Sequence, residues 1–154
     1  MDTNNIITSL AAYDLHLQHP PKPGGSYVSV NIRNNIAYIA IQFPIRNDDY
    51  LYQGRLGDTI TTEAGYVAAA MCAANVLAQV HKYVGFDKVA GLNHADIYYQ
   101  AADGWDDGPA IANGASDLFV NVLGEKGIHT RAIFGVDKLP RNFSVGITCS
   151  FSLL

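Results

Sequence analysis

The sequence predicts an α+β domain in which one mixed β-sheet carries two helices on the same face. The 154 residues alternate between strand-like and helix-like patterns in the order ββ, helix, β, helix, ββ. Each of the two long helical segments has one apolar face, which requires a sheet to cover it. The length suits one domain, so we expect a single unit over residues 1–154, with residues 1–19 as an N-terminal extension.

The N-terminal extension is predicted to contain a short helix over Ile6–Leu17, with Leu10 and Leu17 on one side. The run Pro20–Gly25, with sequence PPKPGG, follows it. Its three prolines impose an extended path, and its two glycines permit a sharp change of direction. We therefore expect this run to separate the extension from the sheet.

The first two strands are predicted at Tyr27–Val30 and Asn35–Phe43, with a turn at Arg33–Asn35 between them. The second strand has apolar residues on both of its alternating faces, and Gln42 is its one strongly polar residue. This pattern is typical of a strand that is covered on both sides. We therefore expect the face of the sheet away from the helices to be apolar and hidden by self-association.

The first long helix is predicted at Thr62–Tyr83. Thr61 or Thr62 can cap its start, Glu63 complements the positive end of its dipole, and Gly85 ends it. Apolar residues recur at intervals of three and four, giving one stripe: Val67, Ala70, Met71, Ala74, Leu77 and Ala78. The alanines keep this stripe thin, which allows the helix to approach the sheet closely.

The second half of the chain repeats the alternation. A strand is predicted at Lys88–Gln100, a polar loop at 101–109, a helix from about Ala110 to Leu123, and two strands at Thr130–Val136 and Phe143–Ser152. The helix has a single apolar stripe, like the first, and ends at a glycine. Both helices should therefore lie side by side on the sheet.

Composition excludes several classes of function. The net charge is −4, the isoelectric point is near 5.6, and the ten Lys and Arg residues are scattered, so a nucleic-acid partner is not expected. No apolar run approaches the roughly 20 residues that span a bilayer, so no membrane partner is expected. The start, Met1–Asn5, lacks the pattern of a signal peptide, which predicts a cytoplasmic location. Cys72 and Cys149 are too few for a disulfide framework or a cysteine zinc site.

Four segments carry a resemblance that covers Leu15–Phe151 in order. Their sequences are PPKPGGSYV at 20–28, QFPIR at 42–46, IANGASDL at 111–118, and RAIFGV at 131–136 followed by Leu139-Pro140. Together they resemble the YjgF/RidA family, also called endoribonuclease L-PSP or chorismate-mutase-like, and most closely its branch with a longer N-terminal extension. The resemblance implies a trimer whose sheets form a central barrel, with ligand clefts between adjacent subunits and no cofactor or metal.

The resemblance also implies an activity and the residues that perform it. Members of the family hydrolyse small reactive enamines and imines to a keto acid and ammonia. Arg131 matches the arginine that binds the substrate carboxylate, and a guanidinium suits a carboxylate because the two groups pair through two parallel hydrogen bonds. From the residues alone, a structural salt bridge or an exposed strand-end arginine are the alternatives.

The substrate-binding residues expected beside Arg131 are Tyr27, Asn113, Ile133 and Gly135. Tyr27 and Asn113 match cleft positions of the family, and Ile133 and Gly135 follow Arg131 on its strand. Packing by Tyr27 and satisfaction of the first helical turn by Asn113 are the structural alternatives.

Thr148 marks a departure from the family, because it stands at the position that matches the family's glutamate near the attacking water. Threonine can bond a water molecule but cannot accept its proton near neutral pH. We assign Thr148 to the catalytic site as the residue that positions this water. His129 lies two residues before Arg131, so both side chains should face the same side of the strand, although a surface histidine is the alternative.

These observations leave three functions to compare. The first is an imine or enamine deaminase, and the second is a trimer that binds a small carboxylate without catalysis, for regulation. The third is the endoribonuclease of the family's older name, which the acidic balance and the absence of a basic groove oppose.

Overall fold

The computed structural model describes residues 1–154 and has one main sheet with three helices. The strands of this sheet are β1 (Val30–Arg33), β2 (Ile36–Gln42), β5 (Val89–Gln100), β6 (Thr130–Val136) and β7 (Val145–Leu153); a separate hairpin contains β3 (Ile45–Arg46) and β4 (Asp49–Tyr50). The order across the main sheet is β1-β2-β7-β5-β6. Only β5 and β6 run parallel, so the predicted mixed sheet is confirmed.

The hairpin between β1 and β2 has the turn that the sequence predicted. Arg33 pairs with Ile36, so the loop contains only Asn34 and Asn35, with φ of 50° and 60°. Two left-handed residues form the turn that matches the twist of the flanking strands, and asparagine tolerates this conformation. The first strand begins at Val30, three residues later than predicted, because residues 27–29 bend along the proline-rich run.

The helices are α1 (Thr3–Ala11), α2 (Thr62–Tyr83) and α3 (Gly108–Leu123). The predicted bounds of α2 are confirmed, and Thr61 caps it by accepting a bond from the backbone N–H of Ala64. The predicted helix over Ile6–Leu17 was wrong in its bounds. The helix begins at Thr3, three residues earlier than predicted, where Asp2 caps it, and a left-handed residue at Asp14 turns the chain before Leu17. Three short 3-10 helices complete the set, at Phe86–Lys88, Gly124–Gly127 and Pro140–Asn142.

Helix α2 lies at the centre of the domain, and every residue from Ala68 to Val80 is buried. It packs against the sheet on one side and against α3 on another. The N-terminal segment covers a third side, where Gln18 donates to Asn75 and Gln79 donates to the carbonyl of Pro21. The alanine-rich α2 thus makes contacts all round the helix, rather than along the single stripe that was predicted. No helix combines the length and apolar character that crossing a membrane requires.

The face of the sheet away from the helices is more polar than the sequence analysis predicted. The register places His94, Asp96, Thr148 and Ser150 together on this face, which we call the open face. The prediction of an apolar face rested on the second predicted strand alone. In that strand, Tyr38 lies exposed on the open face. The polar residues come from β5 and β7, whose alternation of polar and apolar residues divides them between the two faces.

Candidate functional site

Arg131 lies near the start of the edge strand β6, and its side chain crosses to α3. It pairs in register with Ala95, which is fully buried on the helix side of the sheet, so Arg131 points to the same side. Its Nη1 atom donates to Oδ1 of Asn113 at 2.8 Å and to Oγ of Ser116 at 3.1 Å. Asn113 and Ser116 are three residues apart on α3 and therefore share one face of it. The structure thus brings the predicted pair Arg131 and Asn113 together.

Arg131 has no carboxylate partner within the chain. The one ion pair of the chain joins His94 and Asp96, so the structural salt bridge considered as an alternative for Arg131 is not formed. Both hydrogen bonds of its guanidinium come from Nη1 and go to neutral oxygens. The positive charge is held in place but not neutralised, and the remaining N–H groups of the fork are available to an anion.

Ser116 connects Arg131 to His129. Nδ1 of His129 lies 2.6 Å from the carbonyl oxygen of Gly127, which can only accept, so Nδ1 carries the proton. In the neutral ring Nε2 is then an acceptor, and the hydroxyl of Ser116 donates to it at 2.9 Å. The oxygen of Ser116 is left to accept the bond from Arg131. His129 thus faces the same side as Arg131, as predicted. The hydroxyl of Ser116, a residue that the sequence analysis missed, bonds both side chains.

Ile133 and Gly135 continue the same side of β6. A Cβ atom on Gly135 would lie 2.8 Å from the hydroxyl of Tyr99, and one on Gly108 would lie 3.3 Å from Cγ2 of Ile133. Ile133 therefore closes the end of the site near the start of α3, and Gly135 leaves room for Tyr99. Because β6 is an edge strand, one side of its backbone has no partner strand and can bond a ligand or another copy.

Tyr27 lies in a different place, beside a cavity of about 460 Å³. Its hydroxyl accepts a bond from the backbone N–H of Gly24 at 3.0 Å. The cavity lies on the open face, since a Cβ atom on Gly146 would meet the side chains of Ile41 and Phe43 there. The lining residues are Pro21, Lys22, Pro23, Gly24, Tyr27, Ser29, Ala40, Ile41, Gln42, Phe43, Ile45, Tyr50, Pro140, Arg141 and Phe143. Arg131 and Asn113 are not among them, so a single copy of the chain does not bring Tyr27 and Arg131 together.

Thr148 also lies on the open face, opposite to Arg131. It pairs in register with Asp96, whereas Arg131 pairs with Ala95, and successive residues of a strand point to opposite faces. The hydroxyl of Thr148 donates to Oδ2 of Asp96 at 3.4 Å. Oδ1 of the same carboxylate lies 2.8 Å from Nε2 of His94. Thr148 therefore contacts the carboxylate of Asp96, which in turn contacts His94. The spacing of two between His94 and Asp96 on one strand was the signal that the sequence offered.

Trp105 and a second cavity involve none of the predicted site residues. Trp105, in the polar loop, donates to the hydroxyl of Thr62 at 3.0 Å and packs edge-on against Tyr99, so it holds the loop on the domain. Another cavity, of about 480 Å³, lies between α2 and the N-terminal segment and contains none of the predicted site residues. His, Cys, Asp and Glu side chains form no group of three that could hold a metal ion.

Comparison with known proteins places this arrangement in a family. A protein called TCP17, from Trypanosoma cruzi, is 27% identical over 147 residues, covering 94% of this chain and 92% of that protein. The crystal structure of Atu1372, a protein of unknown function from Agrobacterium tumefaciens, matches with a TM-score of 0.92 and 28% identity, over 98% of this chain and 94% of that one.

A crystal structure from Shewanella oneidensis, described as a putative endoribonuclease, matches with a TM-score of 0.91 and 26% identity. It covers 96% of this chain and 99% of that one. The family model described as "YjgF/chorismate mutase-like, putative endoribonuclease" matches residues 8–153. The family that the four sequence segments indicated is thereby confirmed, and the chain belongs to the YjgF/chorismate mutase-like family.

Proposed function

We propose that the protein is a RidA-like deaminase, which hydrolyses a small reactive imino acid to a keto acid and ammonia. The observation that carries this proposal is the guanidinium of Arg131, which two neutral oxygens of α3 hold in place without neutralising its charge. A carboxylate is the group that fits the free part of this fork. The imino acid supplies the carboxylate and the C=N bond on adjacent carbon atoms, so binding by Arg131 fixes the position of the reacting carbon.

The reaction needs water and no redox step. Water adds to the imine carbon, its two protons pass in turn to the nitrogen, and the C–N bond breaks as the carbonyl forms and ammonia leaves. Thr148 can bond the attacking water but cannot keep its proton. Asp96, 3.4 Å from the hydroxyl of Thr148, is the nearest carboxylate that can accept it.

We propose further that the cleft is completed by a second copy in a homotrimer. Within one subunit Arg131 belongs to the edge strand β6 and the helix side, whereas Tyr27 and Thr148 belong to the open face. Two groups on opposite sides of a sheet cannot bind one small molecule, but the edge of one copy can approach the open face of the next. The position of β6 at the edge of the sheet and the cavity beside Tyr27 support this arrangement.

One other function has a specific observation in its favour, namely a trimer that binds a small carboxylate without catalysis. Thr148 is the observation, because it offers no base of its own where the family resemblance implies a glutamate. Arg131 serves this function equally well. Turnover therefore distinguishes the two.

The test is the release of ammonia from freshly generated 2-iminopropionate, compared with the rate in buffer. We expect a clear rate for the wild type and a loss of about 10- to 100-fold in kcat/KM for Arg131→Ala, the range for a hydrogen bond to a charged group. Arg33→Ala is the matched control, because Arg33 is exposed on the β1–β2 hairpin and donates only to the neighbouring carbonyl of Ile32. Its rate should equal that of the wild type.

The outcomes separate the functions. If the wild type is no faster than buffer, yet calorimetry detects pyruvate binding that Arg131→Ala abolishes, the protein binds a carboxylate without hydrolysing the imine. If Arg131→Ala and Arg33→Ala lose activity equally, Arg131 has no special role and the proposal is wrong.

A further inference from the structure

The charged side chains that line the cavity beside Tyr27 are all positive, although the chain as a whole is acidic. Lys22 and Arg141 both line it, and its lining contains no Asp or Glu. The chain as a whole has 14 acidic residues against 10 basic ones. Neither cation is paired, since the one ion pair of the chain is elsewhere. The cavity therefore presents two uncompensated positive charges.

The backbone at both cations is anchored by side-chain amides, of which those of Gln79 and Gln100 are buried. The carbonyl of Pro21, next to Lys22, accepts a bond from Gln79 at 3.0 Å, and the two flanking prolines restrict the path of the chain. The carbonyl of Arg141 accepts a bond from Gln53 at 2.7 Å, and Oδ1 of the next residue accepts one from the fully buried Gln100 at 2.8 Å. The side chains are exposed, but the positions from which they extend are fixed.

Arg141 also has an unusual backbone. Its φ of 55° is in the left-handed region, and Asn142 follows with φ of 59°. Asparagine tolerates this conformation, but an arginine rarely adopts it, because its Cβ atom crowds the following carbonyl. Such strain persists where the surrounding structure holds it, and it gathers at binding sites. The structure holds it here through Gln53 and Gln100.

The walls of the cavity are aromatic. Phe43 and Phe143 stack with their ring centroids 4.7 Å apart, and Tyr50 meets Phe143 edge-on at 5.1 Å. Tyr27 adds a fourth ring to the lining. An apolar body with cations on its lining suits a molecule whose middle is hydrocarbon and whose end is anionic.

We propose that this cavity binds the distal anionic group of the substrate, so that the preferred substrate is an imino diacid rather than an imino monoacid. The inference rests on the proposed function in one respect, namely that Arg131 of an adjacent copy binds the carboxylate next to the imine. Lys22 and Arg141 then hold the second carboxylate, and the aromatic rings contact the carbon chain between the two. A monoacid leaves both cations without a partner.

Binding of stable keto acids tests this without requiring turnover. The probes are 2-oxoglutarate as the diacid, 2-oxobutyrate as the monoacid and phenylpyruvate as an aromatic monoacid, each titrated into the full-length protein by calorimetry. We expect the wild type to bind 2-oxoglutarate at least about 10-fold more tightly than 2-oxobutyrate, the lower end of the range for a bond to a charged group.

The variants are Lys22→Gln and Arg141→Asn, alone and together. Asparagine is chosen for Arg141 because it tolerates the left-handed backbone while removing the charge. Lys138→Gln is the matched control, since Lys138 is an exposed cation three residues before Arg141 and does not line the cavity. The ratio of the affinity for 2-oxoglutarate to that for 2-oxobutyrate should fall towards one in the double variant. It should be retained in Arg141→Lys, which keeps the charge, and unchanged in Lys138→Gln.

Three results would overturn the proposal: equal affinity for diacid and monoacid, a preference that survives in the double variant, or tighter binding of phenylpyruvate than of 2-oxoglutarate. The last would mean that the aromatic walls select the ligand. Failure here is distinct from failure of the deaminase, because 2-iminopropionate has no distal anion. A protein that hydrolyses it without a diacid preference contradicts only the present proposal, and one that binds diacids without hydrolysing imines contradicts only the deaminase.

Discussion

Gly114 lies where α3 packs tightly against the backbone of α2, and its replacement by alanine has two opposing effects on stability. In the middle of a helix, alanine is favoured over glycine by about 1 kcal/mol. Against this, a Cβ atom at position 114 would lie 2.8 Å from the carbonyl carbon of Tyr66 on α2, and closer still to its oxygen. Carbon atoms pack at about 3.5–4.0 Å, so the two helices must separate by about 1 Å.

The obstruction is backbone, which cannot rotate away, so we expect the clash to exceed the gain in helix propensity. Overpacking of a core costs about 1–3 kcal/mol or more, and its upper range applies here. The net loss for Gly114→Ala is then about 2 kcal/mol, or about 4–8 °C in Tm for a chain of this length. Moving α3 also shifts Asn113 and Ser116 away from Arg131, so pyruvate binding should weaken as well.

The assay is thermal and urea denaturation beside the matched variant Gly65→Ala. A Cβ atom at Gly65, in the first turns of α2, would meet only side-chain atoms, at 2.5 Å from Leu56 and 2.7 Å from Ile111. Cδ2 of Leu56 can rotate away, whereas Cγ2 of the β-branched Ile111 is restricted, so Gly65→Ala should lose some stability but less than Gly114→Ala, whose obstruction is backbone. If Gly114→Ala is as stable as the wild type, the close approach of α2 and α3 described here is incorrect.

Three further predictions concern single groups. The hydrogen bond to Asp117, with burial, raises the pKa of Tyr66 to about 12. Asp117→Asn should lower this pKa in an ultraviolet titration, and the stability that the bond supplies should be present below pH 10 and lost as the pH rises through about 12. Burial raises the pKa of both Cys72 and Cys149, so a thiol reagent should label neither until the chain unfolds, and labelling of the native protein would contradict the core described here. Thr61→Ala should cost about 1 kcal/mol by removing the cap of α2, and Thr61→Ser should restore it in the same denaturation assay.

The elements that sequence predicted best are those whose ends have local causes. The cap at Thr61 and the glycine at 85 define α2, and the Asn34-Asn35 pair defines the first hairpin. The hairpin of β3 and β4 was missed, although Asn47 and Asp48 form a similar left-handed turn. Its strands contain two residues each, too few for a periodic pattern to identify.

The sequence indicated Arg131 as a candidate site residue, but it did not indicate Ser116, which holds Arg131 in place. Arg131 and Asn113 were predicted from the family resemblance, and the structure places Nη1 of Arg131 2.8 Å from Oδ1 of Asn113. Ser116 was missed because its role depends on how α3 lies across β6, which no local pattern encodes. The separation of Tyr27 from Arg131 is likewise a property of the sheet order, which places β1 and β6 at opposite edges.

The central claim is that one cleft takes Arg131 from one copy and the Tyr27 cavity from the next, and mixed trimers test it most directly. Arg131→Ala lacks the carboxylate-binding group, and Ala40→Trp fills the cavity, since Ala40 lines it. Each variant alone should hydrolyse 2-iminopropionate at least about 10-fold more slowly than the wild type, while both remain folded by circular dichroism. Unfolding and refolding them together in equal amounts should restore about one quarter of the wild-type rate, the share of clefts that then contain both intact groups. No recovery in mixtures that have formed trimers would contradict a shared cleft.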